Sequence, residues 1–521
     1  MDIHQKVQSI VSIEENFDVN SIRYQGLQIW PLIRLYLTQV LDQLSQSNAS
    51  ERNVEFKLPP SQPTEPLLSF SEIQAEYLRH DEAWRQILTP FSLIPPTDIL
   101  FFSRYENHSE TIHSKFFDRC LDPIQERCTS EFGYLKLELD FPQGRKKTPR
   151  YHSTTFINPY SCLVKEHLLQ KCWKSENLEN IIDLQPIVKK ITGCYIDESQ
   201  LISQIKLLHA YEVLFKDLLS VVRPKVVFLV CYYYIAAMAL VKVCRELGIK
   251  TVEVQHGIQG RFHSLYAHWT KIPQSGYDLL PQFFWVWSEQ CHRDMMETRP
   301  QFGGNQTHHL PLVGGNLWLA KWSKDDLGLS QAEKNFLSQL QKYQKVILVS
   351  LQTFDGLPEL LDLLVPAMQE AAGGWFWLIR FHPLHQGERE VKRVLSALQP
   401  HGLTNFEIEF STKMPLYSLL KRCDYHITQS STVCHEAYAL GVKTGILDPF
   451  RKFGYFYYKE QIKSGKFDLL TRSENIIPAA NSDTKTINFT ANTGGEGYID
   501  IRAELGEKVL PQILRQPNLS F

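Results

Sequence analysis

Residues 225–260 read KVVFLVCYYYIAAMALVKVCRELGIKTVEVQHGIQG, and the order of residue types in this stretch decides the fold. The run VVFLV is apolar at every position, as a strand covered on both faces of a sheet requires. Residues 235–248 then carry apolar side chains at helical spacing and stop at Gly248. The following KTVEVQ is a second short strand. Strand, helix and strand in this succession describe a parallel sheet with helices on its faces. The longest uncharged run, Val226–Val241, is shorter than the roughly 20 apolar residues that span a bilayer. It reads as a buried strand running into a helix.

The same grammar extends in both directions. Upstream lie a helix (LLHAYEVLFKDLLSVV) and, earlier, the strand Asp98-Ile-Leu-Phe-Phe102, announced by Pro95-Pro96. Downstream lie the strands FFWVWS and HHLPLVG. The alternation restarts at 345: strand KVILVSL, helix PELLDLLVPAMQEA, strand WFWLIRF, helix EREVKRVLSALQ, strand FEIEF, helix PLYSLLKRC, strand YHITQ, helix TVCHEAYALG and strand KTGILD. Two alternating series predict an α/β protein with two Rossmann-like, doubly wound domains and a ligand cleft between them. The expected divisions are a helical N-terminal appendage and linker over 1–85, a first Rossmann-like domain over 86–325, a second over 340–480, and a tail over 481–521 with one helix that packs back on the first domain. The appendage is marked by helical periodicity in GLQIWPLIRLYLTQVLDQL and ends in the proline-rich LPPSQPTEP.

Composition narrows the function. The chain has 521 residues, 43% hydrophobic and 21% charged, with a formal net charge of -2, so it is an ordinary globular composition without the basic excess of a general nucleic-acid binder. Ten cysteines are scattered without a C-x-x-C pair and read as reduced thiols. The N-terminus MDIHQKVQSIVSIEE lacks a basic region followed by an apolar stretch, so a cytoplasmic location is expected. A peripheral contact at the inner face of the membrane, through an exposed basic or aromatic patch, stays open.

The polar clusters at predicted strand ends carry the chemistry. WFWLIRF ends in Arg380-Phe381-His382-Pro383, and YHITQ ends in Ser430-Ser431-Thr432, which opens a helix containing Glu436. Hydroxyls and free N–H groups at a helix start, with a nearby His or Arg, suit a nucleotide phosphate. Simple N-capping by Ser or Thr is the competing reading, and His382-Pro383 also fits a strand-ending turn. Glu436 lies too far along for a capping box, which leaves a ribose contact open. In the first domain KTVEVQ ends at Gln255-His256-Gly257. A histidine there, with a glycine allowing a tight turn, is placed to act as general base, and a structural histidine bonded to the loop is its rival. Glu253, Glu106 and His108 compete for the same role, and Tyr232–Tyr234 read as packing.

No Asp-x-Asp, H-E-x-x-H, P-loop, G-x-S-x-G or G-x-G-x-x-G occurs, which argues against a catalytic metal, a P-loop enzyme, a serine hydrolase and a dinucleotide cofactor. No cofactor is expected.

Taken in order, Gln255-His256-Gly257, His382-Pro383, Ser430-Ser431 and Glu436 resemble the GT-B glycosyltransferases of bacterial capsule and surface-polysaccharide biosynthesis, in the neighbourhood of capsular Kdo transferases, bacterial sialyltransferases and CDP-glycerol glycerophosphotransferases. The resemblance covers roughly 95–475. It implies that the His-Pro and Ser-Ser motifs look toward the donor phosphate, the acidic residue toward the ribose and the His-Gly turn toward the transfer site. It implies as partners a nucleotide-activated sugar, such as a CMP-linked one like CMP-Kdo, and a glycan or lipid-linked glycan acceptor. A CDP-glycerol-type transferase, a UDP-GlcNAc 2-epimerase-like enzyme and a non-catalytic assembly protein remain alternatives. The phrase Tyr24-Gln-Gly-Leu-Gln-Ile-Trp30-Pro31-Leu-Ile-Arg34 resembles the opening of surface-polysaccharide proteins and specifies no substrate.

Overall fold

The computed structural model describes residues 3–46, 91–104, 110–128, 132–139, 149–157, 159, 162–163, 178–257, 260–261, 263–300, 308–351, 357–382, 388–451, 454–482 and 497–515. They fall into two compact units: one from Met1–Gly314 with Glu504–Phe521, the other from Gly315–Ala503. Each unit is built on one parallel sheet, as the two alternating series require.

The sheet of unit 1 has seven strands: β1 (Ile99–Ser103), β2 (Tyr134–Leu139), β3 (Thr155–Ile157), β4 (Val226–Val230), β5 (Lys250–Val254), β6 (Phe283–Val286) and β7 (Leu310–Val313), in the order β7-β6-β5-β4-β1-β2-β3. Every pairing is parallel. Residues of β1, β4 and β5 are buried at every position, which is why these strands read as unbroken apolar runs. Helices α1 (Ile3–Asn16) and α2 (Trp30–Gln46) belong to this unit, as does the long pair α3 (Glu198–Val222) and α4 (Ile235–Glu246), which pack along each other. Cys231 ends β4 with φ 60°, a left-handed conformation that breaks the strand before α4 begins.

Unit 2 carries six strands: β8 (Lys345–Ser350), β9 (Trp375–Arg380), β10 (Phe406–Glu407), β11 (Tyr425–Thr428), β12 (Thr444–Leu447) and β13 (Phe467–Leu470), in the order β10-β9-β8-β11-β12-β13. All of these pair in parallel. Its core joins Ile347, Val349, Trp377, Ile379 and Ile427 of the sheet to Leu364 and Met368 of the helix Leu357–Glu370. Helix α5 (Val433–Ala439) follows β11, and α6 (Ala503–Arg515) lies almost wholly in unit 1. In both sheets the strand order reverses beside the first strand, between β1 and β4 and between β8 and β11. Doubly wound folds bind ligands outside the carboxyl ends of the strands at such switch points.

One predicted strand is shorter than expected. FEIEF supplies only Phe406–Glu407, and Glu409–Lys413 is a helical turn. The Glu407 carboxylate accepts the backbone N–H groups of Phe410 at 2.6 Å and Ser411 at 2.7 Å, and this satisfies a helix start instead of a ladder.

Candidate functional site

In unit 2 the sheet register aligns the predicted residues. Ser350 at the end of β8 pairs with Arg380 of β9 on one side and Thr428 of β11 on the other. His382 and Ser430 each lie two residues along the chain beyond that row, after β9 and β11, the two strands that flank β8. Thr428 Oγ1 donates to Ser350 O (2.9 Å) and accepts from Ser431 N (3.2 Å), so the turn after β11 is tied to the end of β8. Tyr458 donates its hydroxyl to Ser430 O at 2.8 Å. Ser431 Oγ accepts from Val433 N at 3.4 Å, and Thr432, at the N-cap, makes no side-chain cap. The hydroxyls thus contribute little to capping α5. Ser431 is buried, Ser430 half-buried and Thr432 exposed.

The other predicted residues of this unit have definite partners. Arg380 donates through Nη1 to Ser411 O and Met414 O, each at 2.7 Å, and so closes the end of the helix Glu409–Lys413. Glu436 accepts from the Tyr417 hydroxyl at 2.8 Å, and Tyr417 is wedged among Trp318 and Trp322. Tyr417 and Tyr458 are neighbours of these residues that no local motif announced, because each comes from a different segment. Beneath the row, buried His426 bridges Ser350 Oγ and Thr444 Oγ1, both at 3.0 Å, and burial pushes its pKa down to about 3. Pro383 lies outside the described residues.

In unit 1, His256 stands just past β5, one strand from the switch point. Its Nε2 is 3.2 Å from the Tyr233 hydroxyl and its Nδ1 is 3.8 Å from Glu253 Oε1, with about 26% of the side chain exposed. Burial, then the charges of His263, Arg119 and Arg104, push its pKa down to about 3, so the ring is neutral at pH 7. Glu253 is only 1% exposed and accepts a short hydrogen bond from the Tyr266 hydroxyl. It therefore sits behind the histidine instead of facing solvent. Tyr232, Tyr233, His263, Tyr266 and Phe284 form an edge-on aromatic cluster around this pair.

The turn itself is shaped by Gln255, whose amide donates to Gly257 O (2.8 Å) and accepts from Trp287 N (2.7 Å). The chain bends at Gly257 without a left-handed φ, and a Cβ there would enter open space, meeting nothing within 4 Å. At the end of β1, the Arg104 guanidinium lies 4.0 Å over the Tyr234 ring. Arg119 is carried on a loop fixed by Asp118, which accepts from Ser103 Oγ and from the N–H groups of Cys120 and Leu121. Neither arginine was legible, since their approach to His256 depends on the sheet order. Glu106 and His108 lie outside the described residues.

Among the described residues no group of three His, Cys, Asp or Glu side chains is placed to hold a metal, and no helix is long and apolar enough to cross a membrane.

No family model and no curated protein sequence matches the chain. Solved structures do. A Listeria monocytogenes protein assigned as a UDP-N-acetylglucosamine 2-epimerase is 12% identical over 80% of this chain and 96% of its own, with a TM-score of 0.50. The UDP-GlcNAc 2-epimerase of Neisseria meningitidis, bound to UDP-GlcNAc, is 13% identical over 80% and 99%, with a TM-score of 0.49. The wall teichoic acid polymerase TagF is 12% identical over 85% and 96%, with a TM-score of 0.40. At these identities the likeness is one of fold: the two doubly wound sheets are GT-B-like.

Proposed function

We propose that this protein is a glycosyltransferase that takes a sugar from a nucleotide-activated donor and passes it to a hydroxyl of a surface glycan. The observation that carries the reading is the Arg380–Ser350–Thr428 row, which brings His382 and the Ser430–Ser431 turn to one edge at the switch point of unit 2. The donor nucleotide is assigned there. His382 and the two hydroxyls hold its phosphate, and Glu436, oriented by Tyr417, takes the ribose. Arg380 supports the site by fixing the neighbouring helix end.

His256 of unit 1 is assigned the acceptor proton. It is neutral and partly open, and an acceptor hydroxyl that displaces the Tyr233 hydroxyl from Nε2 would deliver its proton there. Glu253, behind Nδ1, favours the imidazolium that results. The phosphate charge of the departing nucleotide is held by His382, Ser430 and Ser431. Donor CMP-Kdo and a glycan or lipid-linked acceptor are the favoured pair, on the strength of the motif resemblance.

A thermal-shift and calorimetric screen with CMP, CDP, UDP, GDP and their sugar conjugates tests the assignment, because a ligand of the native state raises the melting point. A nucleotide should bind wild type, and bind the Ser430→Ala/Ser431→Ala variant about tenfold or more weakly if two charge-assisted hydrogen bonds are lost. Absence of binding by every nucleotide from a folded protein would leave a non-catalytic assembly role. Product analysis with the donor that binds separates sugar transfer from glycerol phosphate transfer and from epimerisation.

A further inference from the structure

The N-terminal helices hold the segment that backs His256. Glu14 of α1 is fully buried, and so is Arg34 of α2. Glu14 Oε1 accepts from Trp30 Nε1 at 2.8 Å and from Arg34 Nη1, while Oε2 accepts from the backbone N–H of Thr270 at 2.8 Å and from its hydroxyl. Arg34 spends its remaining donors on carbonyls of one stretch of chain: Nε on Ser264 (2.7 Å), Nη2 on Ala267 (2.8 Å) and His268 (3.1 Å). Its guanidinium lies 4.2 Å over the Trp269 ring, and Thr38 Oγ1 meets Ser264 Oγ at 2.9 Å. Within this gripped stretch sits Tyr266, whose hydroxyl donates to Glu253, the carboxylate 3.8 Å from His256 Nδ1.

A buried ion pair is a poor source of net stability, since desolvation offsets the attraction and an apolar pair of the same shape often does as well. What this pair supplies is geometry. The planar fork of an arginine holds Glu14 and three carbonyls at once, four acceptors where a lysine has only three donors and an apolar side chain none. The segment needs fixing: His268 has φ 59°, a left-handed conformation that a non-glycine residue keeps only where its surroundings impose it.

We propose that Glu14 and Arg34 are positioning residues for His256, acting through the 264–270 segment and the Tyr266–Glu253 hydrogen bond. This assigns a role to the Trp30–Arg34 phrase that the sequence singled out, and it rests on the reading of His256 as the proton acceptor.

The test is the reactivity of His256 in the full chain toward diethyl pyrocarbonate, followed peptide by peptide in a mass spectrometer, with the exposed His401 of unit 2 as internal reference. In Arg34→Lys and in Tyr266→Phe the rate at His256 should rise about fivefold or more, as loss of the hydrogen bonds lets the segment open locally, while His401 is unchanged. Rates at His256 within about twofold of wild type in folded forms of both variants would overturn the proposal. Should Arg34→Lys fail to fold, Thr38→Val, which removes the contact to Ser264 Oγ and the hydroxyl's bond to Arg34 O within α2, takes its place beside Tyr266→Phe under the same criterion. Once a donor is known, Arg34→Lys should lower kcat while leaving the donor KM unchanged. An unaffected kcat in that variant would also overturn the proposal. Full turnover by His256→Ala would instead defeat the general-base reading alone, since the reactivity result needs no turnover.

Discussion

A base must be neutral before it acts and must tolerate charge once it has acted. The proposed base, His256, fits the first demand through burial and the nearby arginines, and the second through Glu253 behind it. His256→Ala should therefore lower kcat by on the order of 10²- to 10⁴-fold with little change in nucleotide affinity, measured by single turnover beside a binding titration. Tyr233→Phe removes the hydroxyl that meets Nε2 and Cys231, and should keep turnover within about tenfold of wild type, since only modest neutral hydrogen bonds are at stake. Gly257→Ala is a sharper probe, because its Cβ would enter open space: the melting temperature should hold while kcat/KM falls, and an unchanged kcat/KM would mean that no substrate approaches there. His256 was legible because it follows a strand whose five positions are all buried. Tyr266, Arg104 and Arg119 were not, because three separate loops bring them to it.

The element that matters most in unit 2 is the turn from β11 into α5. Gly454, opening the short helix Gly454–Tyr457, packs so close that a Cβ would lie 1.9 Å from Gln429 O and 2.4 Å from the Ile446 side chain. Gly454→Ala must push back the backbone just ahead of Ser430. Overpacking of this kind costs about 1–3 kcal/mol, and the variant should lose both stability and nucleotide affinity, read by denaturant unfolding and calorimetry. Ser430→Ala/Ser431→Ala should separate those quantities, losing affinity with a stability change of about 1 kcal/mol or less, because the Ser431 hydroxyl makes only a long 3.4 Å cap to Val433 N. Strands buried on both faces, such as β4, β8 and β9, could be read from the sequence as apolar runs. β2 could not. Its YLKLEL buries Lys136 against Asp122 and Glu138 against Arg150, so the charges that disguise it are neutralised by partners the sequence does not place.

At the scale of the molecule, acid should act on both units. His309 in unit 1 and His426 and His435 in unit 2 are buried, and burial holds each pKa far below the ordinary histidine value. Their unfolded forms take up protons below about pH 6.5 while the folded forms do not, so each group costs about 1.4 kcal/mol of stability per pH unit as pH falls through that range. Asp122, which burial raises to about 6, opposes this as a single group. Denaturant unfolding at pH 7.5 and 5.5 should show both units weakened at the lower pH, and equal stability at the two values would contradict the burial of these rings. Unit 1 is also discontinuous along the chain, since α6 returns to it after the whole of unit 2, and the Lys250 ammonium at the start of β5 donates to Ile513 O at 2.9 Å. A ribosome makes all of Gly315–Ala503 before it makes α6. Unit 2 therefore has its full sequence first, and unit 1 must wait for the Ile513 carbonyl that Lys250 bonds until translation reaches α6.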